Sequence, residues 1–321
     1  MRAILAFLAL SVVFTTQPAA SQTYPAKPVH ILVPYAPGGP ADIAARLVGA
    51  KLSEACGQQV VVENRPGGRG YIAMTAAAKA APDGYTLVMA TIGEAAITPV
   101  LFKDVPYDIQ RDFAPISLIS DAAIVLAAHN GSPFKSVADV IAGARSRPGE
   151  VSVGSPGQGT VNQVVIEWLG LNTGTKFQHV PYKGSAPAAT AVAAGDIPLG
   201  MLASSSVAPL LATGRVRVLA VASATRSKLN PDWPTLQQEG VADVNASTWT
   251  ALLAPKGTPQ HIIDKLNAEV VKLLNMPDTK ERFATGGVDT IPSSPAELAA
   301  RITQDAAQFG AIVQKANIKP D

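Results

Sequence analysis

The chain has 321 residues, 47% of them hydrophobic and 16% charged, with a formal net charge of +2 and one cysteine. That balance excludes disorder, and the scattered Lys and Arg residues exclude a nucleic-acid footprint or a basic membrane-surface patch. One cysteine excludes an internal disulfide, and roughly 300 residues beyond an N-terminal leader exceed what one core usually holds, which predicts two domains.

The chain opens with a basic Met1-Arg2, an apolar run from Ala3 to Phe14, and small residues at Pro18-Ala19-Ala20-Ser21. This pattern predicts a cleaved export signal over residues 1–21 and a periplasmic mature chain starting near Gln22. The apolar run is shorter than the roughly 20 residues that span a bilayer. The cysteine, Cys56, falls inside a predicted helix instead of after the cleavage site, so no lipid anchor is expected.

Val29-His30-Ile31-Leu32-Val33 reads as a strand, followed by a Gly-rich turn and a helix opened by Asp42 with Ile43, Leu47, Val48 and Leu52 on one face. The unit recurs as the strand Gln59 to Glu63 before a helix from Tyr71 to Ala81, and as the strand Tyr85 to Met89 after a Pro82-Asp83-Gly84 turn. A mostly parallel sheet flanked by helices follows. Strands at Ala123 to Ala128, Val151 to Gly154, Phe177 to Pro181 and Val216 to Ala222 predict a second sheet. After Trp249 to Leu253 the pattern turns helical through Ile262, Ile263, Leu266, Val270, Leu273 and Leu274, ending in a helix from Ala296 to Ala316. An all-helical tail after a strand suits a return to the first domain. The expected fold is therefore α/β with two lobes, 22–122 plus 249–321 and 123–248. The crossovers fall near Asp121 to Ala123 and Asn245 to Trp249, with a cleft between the lobes.

Two strand-to-helix loops could hold an anion. Pro37-Gly38-Gly39-Pro40-Ala41-Asp42 points backbone N–H groups and a positive helix end at one place. A tight turn stabilised by Asp42 is the plainer alternative. Gly154-Ser155-Pro156-Gly157-Gln158-Gly159-Thr160 joins a strand to the helix from Val161 to Leu171 and offers three glycines and two hydroxyls. Ligands of open α/β sheets bind at the carboxyl ends of strands, where both loops fall. Arg65-Pro66-Gly67-Gly68-Arg69-Gly70 reads as a solvated turn, while Tyr182 and Lys183 fit a cleft position or a surface turn equally well.

Catalytic motifs find little support. His30, His129, His179 and His261 share no metal-ligand spacing, and no His-Glu-x-x-His, Cys-x-x-Cys or Gly-x-Ser-x-Gly occurs. No cofactor or metal is expected, and Cys56 reads as a small buried residue.

The ordered words Tyr24-Pro-Ala-Lys-Pro28, Val33-Pro-Tyr-Ala-Pro-Gly-Gly39, Val62-Glu-Asn-Arg-Pro-Gly67, Pro82-Asp-Gly-Tyr-Thr-Leu87, Gly154-Ser-Pro-Gly157 and His179-Val-Pro-Tyr-Lys-Gly184 run along nearly the whole mature chain. In these the chain resembles the Bug (Bordetella uptake gene), or tripartite tricarboxylate transporter, substrate-binding proteins. The resemblance implies a periplasmic-binding-protein fold of the Venus-flytrap, type II-like kind. It also implies a monomer that captures a di-, tricarboxylate or aromatic acid and delivers it to integral membrane transporter subunits. A sensor kinase partner is the alternative delivery, and a secreted enzyme is a more distant one. Carried over residue by residue, the ligand contacts are Tyr35, Ala36, Gly38, Gly39 and Asp42 on the first lobe and Ser155, Gly157, Gly159 and Thr160 on the second, with Thr91 after the third strand. Gln163, Thr98 and Leu202 depart from the family's usual His, Asn and acidic residue. Leu202 in place of an acid implies a carboxylate without an amino group.

Overall fold

The computed structural model describes residues 24–315, 317 and 318; the predicted export signal lies outside them. In the first half, β1 (Val29–Val33), α1 (Pro40–Cys56), β2 (Val60–Asn64), α2 (Tyr71–Ala78) and β3 (Thr86–Thr91) form two parallel pairs about β1. A π-turn at Gly93–Ile97 and the short helices α3 (Thr98–Leu101) and α4 (Ile109–Asp112) lead into β4 (Phe113–His129).

Next come α5 (Val137–Ser146), β5 (Ser152–Ser155), α6 (Val161–Thr173), β6 (Gln178–Pro181), α7 (Ser185–Ala194), β7 (Leu199–Ala203), α8 (Ser204–Leu211) and β8 (Val216–Val221). The chain closes with β9 (Ser247–Pro255), α9 (Gln260–Asn275), α10 (Pro277–Thr285), β10 (Asp289–Thr290) and α11 (Pro295–Lys315).

β4 ties the architecture together. Phe113 to Ala123 pair antiparallel with β9 in a sheet ordered β2-β1-β3-β9-β4, and Ile124 to His129 pair with β7 and β8 in a second sheet that continues through β5 to β6. Only the second half of β4 is legible as a strand. Pro115 lacks an N–H and the pairing slips at Pro115/Ser117, so the first half breaks the alternation that marks a strand. β7 escaped the sequence reading because it is five residues long, buried throughout, and contains Gly200. The tail is not wholly helical either, since β10 adds two residues antiparallel to Ser120 and Asp121.

The apolar stripe of α1 (Ala44, Ala45, Val48, Leu52) and that of α9 (Ile263, Leu266, Val270, Leu274) cover one face of the first sheet. On the other face, α11 packs Leu298, Ile302, Phe309 and Val313 into a core that runs on through Trp249 to Leu126 and Leu219 of the second sheet and Val164 of α6. The Trp249 Nε1–H donates to Asp305 Oδ2 at 2.6 Å, and Arg301 closes the same carboxylate at 2.7 Å. This anchors the last helix to β9. Cys56, half-buried at the end of α1, is a thiol whose pKa burial raises.

Candidate functional site

Each lobe brings a strand-to-helix loop to the same place because parallel strands end there and their helices begin there. A cavity with about 380 Å³ of empty space, its opening to solvent included, lies between the sheets, lined by Tyr35, Gly39, Pro40, Ala41, Thr91, Pro156, Thr160, Val161, Asn162, Ser185, Ala203 and Thr248. Four helices begin on its wall. Gly39 is the N-cap of α1, Thr160 of α6 and Ala203 of α8, while Ser185 is the first residue of α7. First-turn N–H groups have no partner inside their own helix, and each helix start carries roughly half a positive charge. None of the twelve lining residues is an Asp, Glu, Lys, Arg or His. The wall thus offers positive potential from backbone dipoles alone.

The first-lobe loop is held from behind by a charged network. Asp42 is 4% exposed; its Oδ2 accepts from the Gly38 N–H and Arg46 Nε, both at 3.0 Å. Its Oδ1 accepts from Asn64 Nδ2 at 2.9 Å, and Asn64 also donates to the Tyr35 carbonyl at 3.1 Å. Burial works to raise the Asp42 pKa, but the bonds from Arg46, Gly38 and Asn64 together hold it below the ordinary carboxylate value.

The second loop is knit by hydroxyl, imidazole and amide groups. The Ser155 hydroxyl meets His179 Nε2 at 2.6 Å and accepts the Gly157 N–H at 3.1 Å. Thr160 Oγ1 donates to the Gly157 carbonyl at 2.8 Å, and the Gly159 N–H donates to Gln163 Oε1 at 2.8 Å. Ser155 is fully buried and serves the loop.

The loops also touch across the cleft. The Ala36 N–H donates to the Lys183 carbonyl at 2.9 Å, Thr98 Oγ1 to the Gly159 carbonyl at 3.2 Å, and Arg69 Nε to Gln158 Oε1 at 3.2 Å. Gly159 has φ +74°, and a Cβ there would lie 2.6 Å from Thr98 Oγ1, so both backbone conformation and approach require glycine.

Of the residues singled out in the sequence, Tyr35, Gly39, Thr91 and Thr160 line the cavity. Gly157 sits in the adjoining outer groove with Tyr35 and Thr160, beside Arg69, Tyr182 and Lys183. Ala36, Gly38 and Gly159 lie at the seam between the lobes, and Asp42 and Ser155 lie behind the loops. Arg69 is no solvated turn residue: it crosses the cleft and stacks 4.1 Å above the Phe102 ring. Leu202 lies in the far core with Val125, Val192 and Val207, because strand alternation turns Ala203 to the cavity instead. Its identity therefore says nothing about a ligand amine. Ser185 and Ala203 were missed, although Gly184-Ser185 and Ala203-Ser204-Ser205 repeat the strand-to-helix pattern of the two loops that were read.

A family model described as the tripartite tricarboxylate transporter family receptor matches residues 44–318. Protein BugT of Bordetella pertussis is 33% identical over 303 residues, covering 94% of this chain and 93% of that protein. Among solved structures, R. palustris Rpa4515 with adipate has a TM-score of 0.90 at 33% identity, covering 93% of this chain and 100% of that one. MatC from Rhodopseudomonas palustris with bound malate has a TM-score of 0.86 at 30% identity, covering 90% of this chain and 100% of that one.

Proposed function

This chain belongs to the tripartite tricarboxylate transporter receptor family, whose members include the Bug solute-binding proteins, and from that premise we propose that it captures a small carboxylate in the periplasm and delivers it to a membrane transporter of the tripartite tricarboxylate type. The ligand is a di- or tricarboxylate or an aromatic acid. The observation that carries this reading is the convergence of four helix starts on one cavity that has no formal charge on its wall. Such a wall stabilises an anion by oriented N–H groups and can release it again, because no buried ion pair must be broken. Adipate and malate in the related structures are small carboxylates, the class of ligand that such a wall suits.

On this reading the lobes are 22–122 with 249–321, and 123–248. They hinge where β4 passes from one sheet to the other at Ala123 and Ile124 and where β9 begins at Ser247. Ligand bound to both loops adds to the seam bonds of Ala36, Arg69 and Thr98 and favours the closed form that the transporter recognises.

The test is the melting temperature of refolded mature protein against mono-, di- and tricarboxylates and their matched amides. A ligand at about 100 times its dissociation constant adds about 2.7 kcal/mol of stability, a shift of a few degrees for a chain this long. At least one acid should produce that shift while its amide does not. Equal shifts from acid and amide, or none from any acid, would count against carboxylate capture.

A further inference from the structure

The two crossover strands carry a second groove on the face turned away from the ligand cavity. β4 and β9 pair with Ala122 opposite Thr248, and with Asp121 opposite Trp249 and Ala123 opposite Ser247 on either side. Thr248 lines the ligand cavity. Side chains alternate along a strand, so Asp121, Ala123 and Ser247 point the other way, and all three line the second groove. One wall of it is β10, with Asp289 and Thr290, which pairs with the first-sheet half of β4. The facing wall is the loop after β8, with Thr225, Arg226 and Lys228.

Formal charge is sorted by wall. Asp289 lies directly opposite Asp121 on paired antiparallel strands, where like charges repel. Asp121 Oδ1 is buried without a hydrogen-bond partner. The charges that act on Asp121 are Arg301, Asp289 and Asp305, and Arg301 is already bonded to Asp305 at 2.7 Å. Two further cations line the groove from the loop. Arg226 uses Nε and Nη1 on Gln238 and the Pro231 carbonyl, Lys228 is exposed, and among the described residues neither forms an ion pair.

The lobes hinge where β4 and β9 cross between the sheets, at Ala123 and Ile124 and at Ser247. A rotation that widens the cavity on one face of these strands therefore narrows the groove on the other. Narrowing carries the loop cations toward the two acids.

We propose that this groove is a charge latch for the open, ligand-free form, in which Arg226 and Lys228 close on Asp289 and Asp121 as the ligand cavity opens. The inference rests on the reading that the lobes close on a carboxylate. The latch sets affinity without touching the ligand, because whatever stabilises the open form is subtracted from binding to the closed one.

Lys228→Glu tests it, since Lys228 lies outside the ligand cavity and holds no ion pair to lose. In calorimetric titration of the mature protein with succinate, malate, adipate and citrate, the variant should bind each acid that the wild type binds about two- to fivefold more tightly. That is the value of one exposed ion pair. The charge swap Lys228→Glu with Asp289→Lys should return affinity to the wild-type value. The gap between Lys228→Glu and wild type should shrink toward one in about 0.5 M sodium chloride, where exposed charges are screened. A purely structural role for Lys228 would weaken binding and gain nothing from the swap.

Small-angle X-ray scattering of the ligand-free protein reads the latch with no ligand present. Lys228→Glu should be the more compact of the two, because its open form has lost the attraction. Unchanged or weaker binding by Lys228→Glu overturns the inference. If none of the acids binds either protein, the carboxylate-binding reading fails by itself, and an unchanged radius of gyration then overturns the latch as well.

Discussion

The two loops that face each other across the cavity are held in shape by different chemistry. Behind the first, Asp42 gathers the Gly38 N–H, Arg46 and Asn64 around one buried charge. Behind the second, Ser155, His179, Thr160 and Gln163 share hydrogen bonds among hydroxyl, imidazole, amide and backbone groups. A charged centre concentrates stability in one residue that acid can titrate. A network of several such bonds spreads it over several residues, each worth less.

The largest expected effect follows from that concentration. Asp42→Ala leaves the Gly38 N–H and the Asn64 amide without their acceptor and should cost about 2–4 kcal/mol in denaturant unfolding. A cost near that of a single cap in the second loop would break the contrast. The hinge offers an effect of opposite pH sign. Burial, before the nearby Asp289 and Asp305, raises Asp121 to about 6. An acid raised above its unfolded value contributes stability with its proton on, and that contribution is lost as pH rises from the unfolded value through about 6. Asp121→Asn should therefore stabilise the protein by about 2 kcal/mol at pH 7.5 and little at pH 4, read from paired melts.

Thr160→Ala removes the N-cap of α6 together with its bond to the Gly157 carbonyl, and about 1 kcal/mol is expected in the same denaturant assay. Acid sharpens the comparison between the loops. The lowered Asp42 pKa means that its stabilisation is present above the ordinary carboxylate value and lost as pH falls through the lower folded one. Amide exchange, corrected for intrinsic rates, should accelerate in residues 36–42 before residues 154–160 as pH is lowered past 4; simultaneous loosening would contradict the distinction. The smallest effect is at the cleft mouth. Arg69→Ala loses the bond to Gln158 and the stack on Phe102 and should raise the ligand dissociation constant about two- to fivefold, with unfolding free energy changed by less than about 1 kcal/mol.

What the sequence showed and what it hid divide along physical lines. The loops at Pro37 to Asp42 and Gly154 to Thr160 were legible because strand, glycine turn and helix follow one another within a few residues. The family-level fold was legible for the same reason, repeated. Ala203 was not, since α8 follows β7, a short, wholly buried strand interrupted by Gly200, and Ser185 was not, since its loop follows a legible strand but carries one glycine where the other two carry several. The N-terminal half of β4 was hidden by Pro115 and the slipped register. Glu94, 1% exposed behind Thr91, could not be found by pattern at all: its burial depends on space made by Gly70, 24 positions earlier, and on the Thr91 N–H and hydroxyl that its Oε2 accepts. Leu202 illustrates the reverse error, a position given meaning by alignment whose side chain a one-residue alternation turns into the core.

The central claim is that helix starts, not side-chain cations, hold the ligand's carboxylate. A co-crystal structure with the tightest acid from the panel tests it most directly. The account predicts carboxylate oxygens within about 3 Å of first-turn N–H groups of α1 and α6, directly or through one ordered water. A carboxylate paired instead with Arg69 or Lys183 in the outer groove would contradict it.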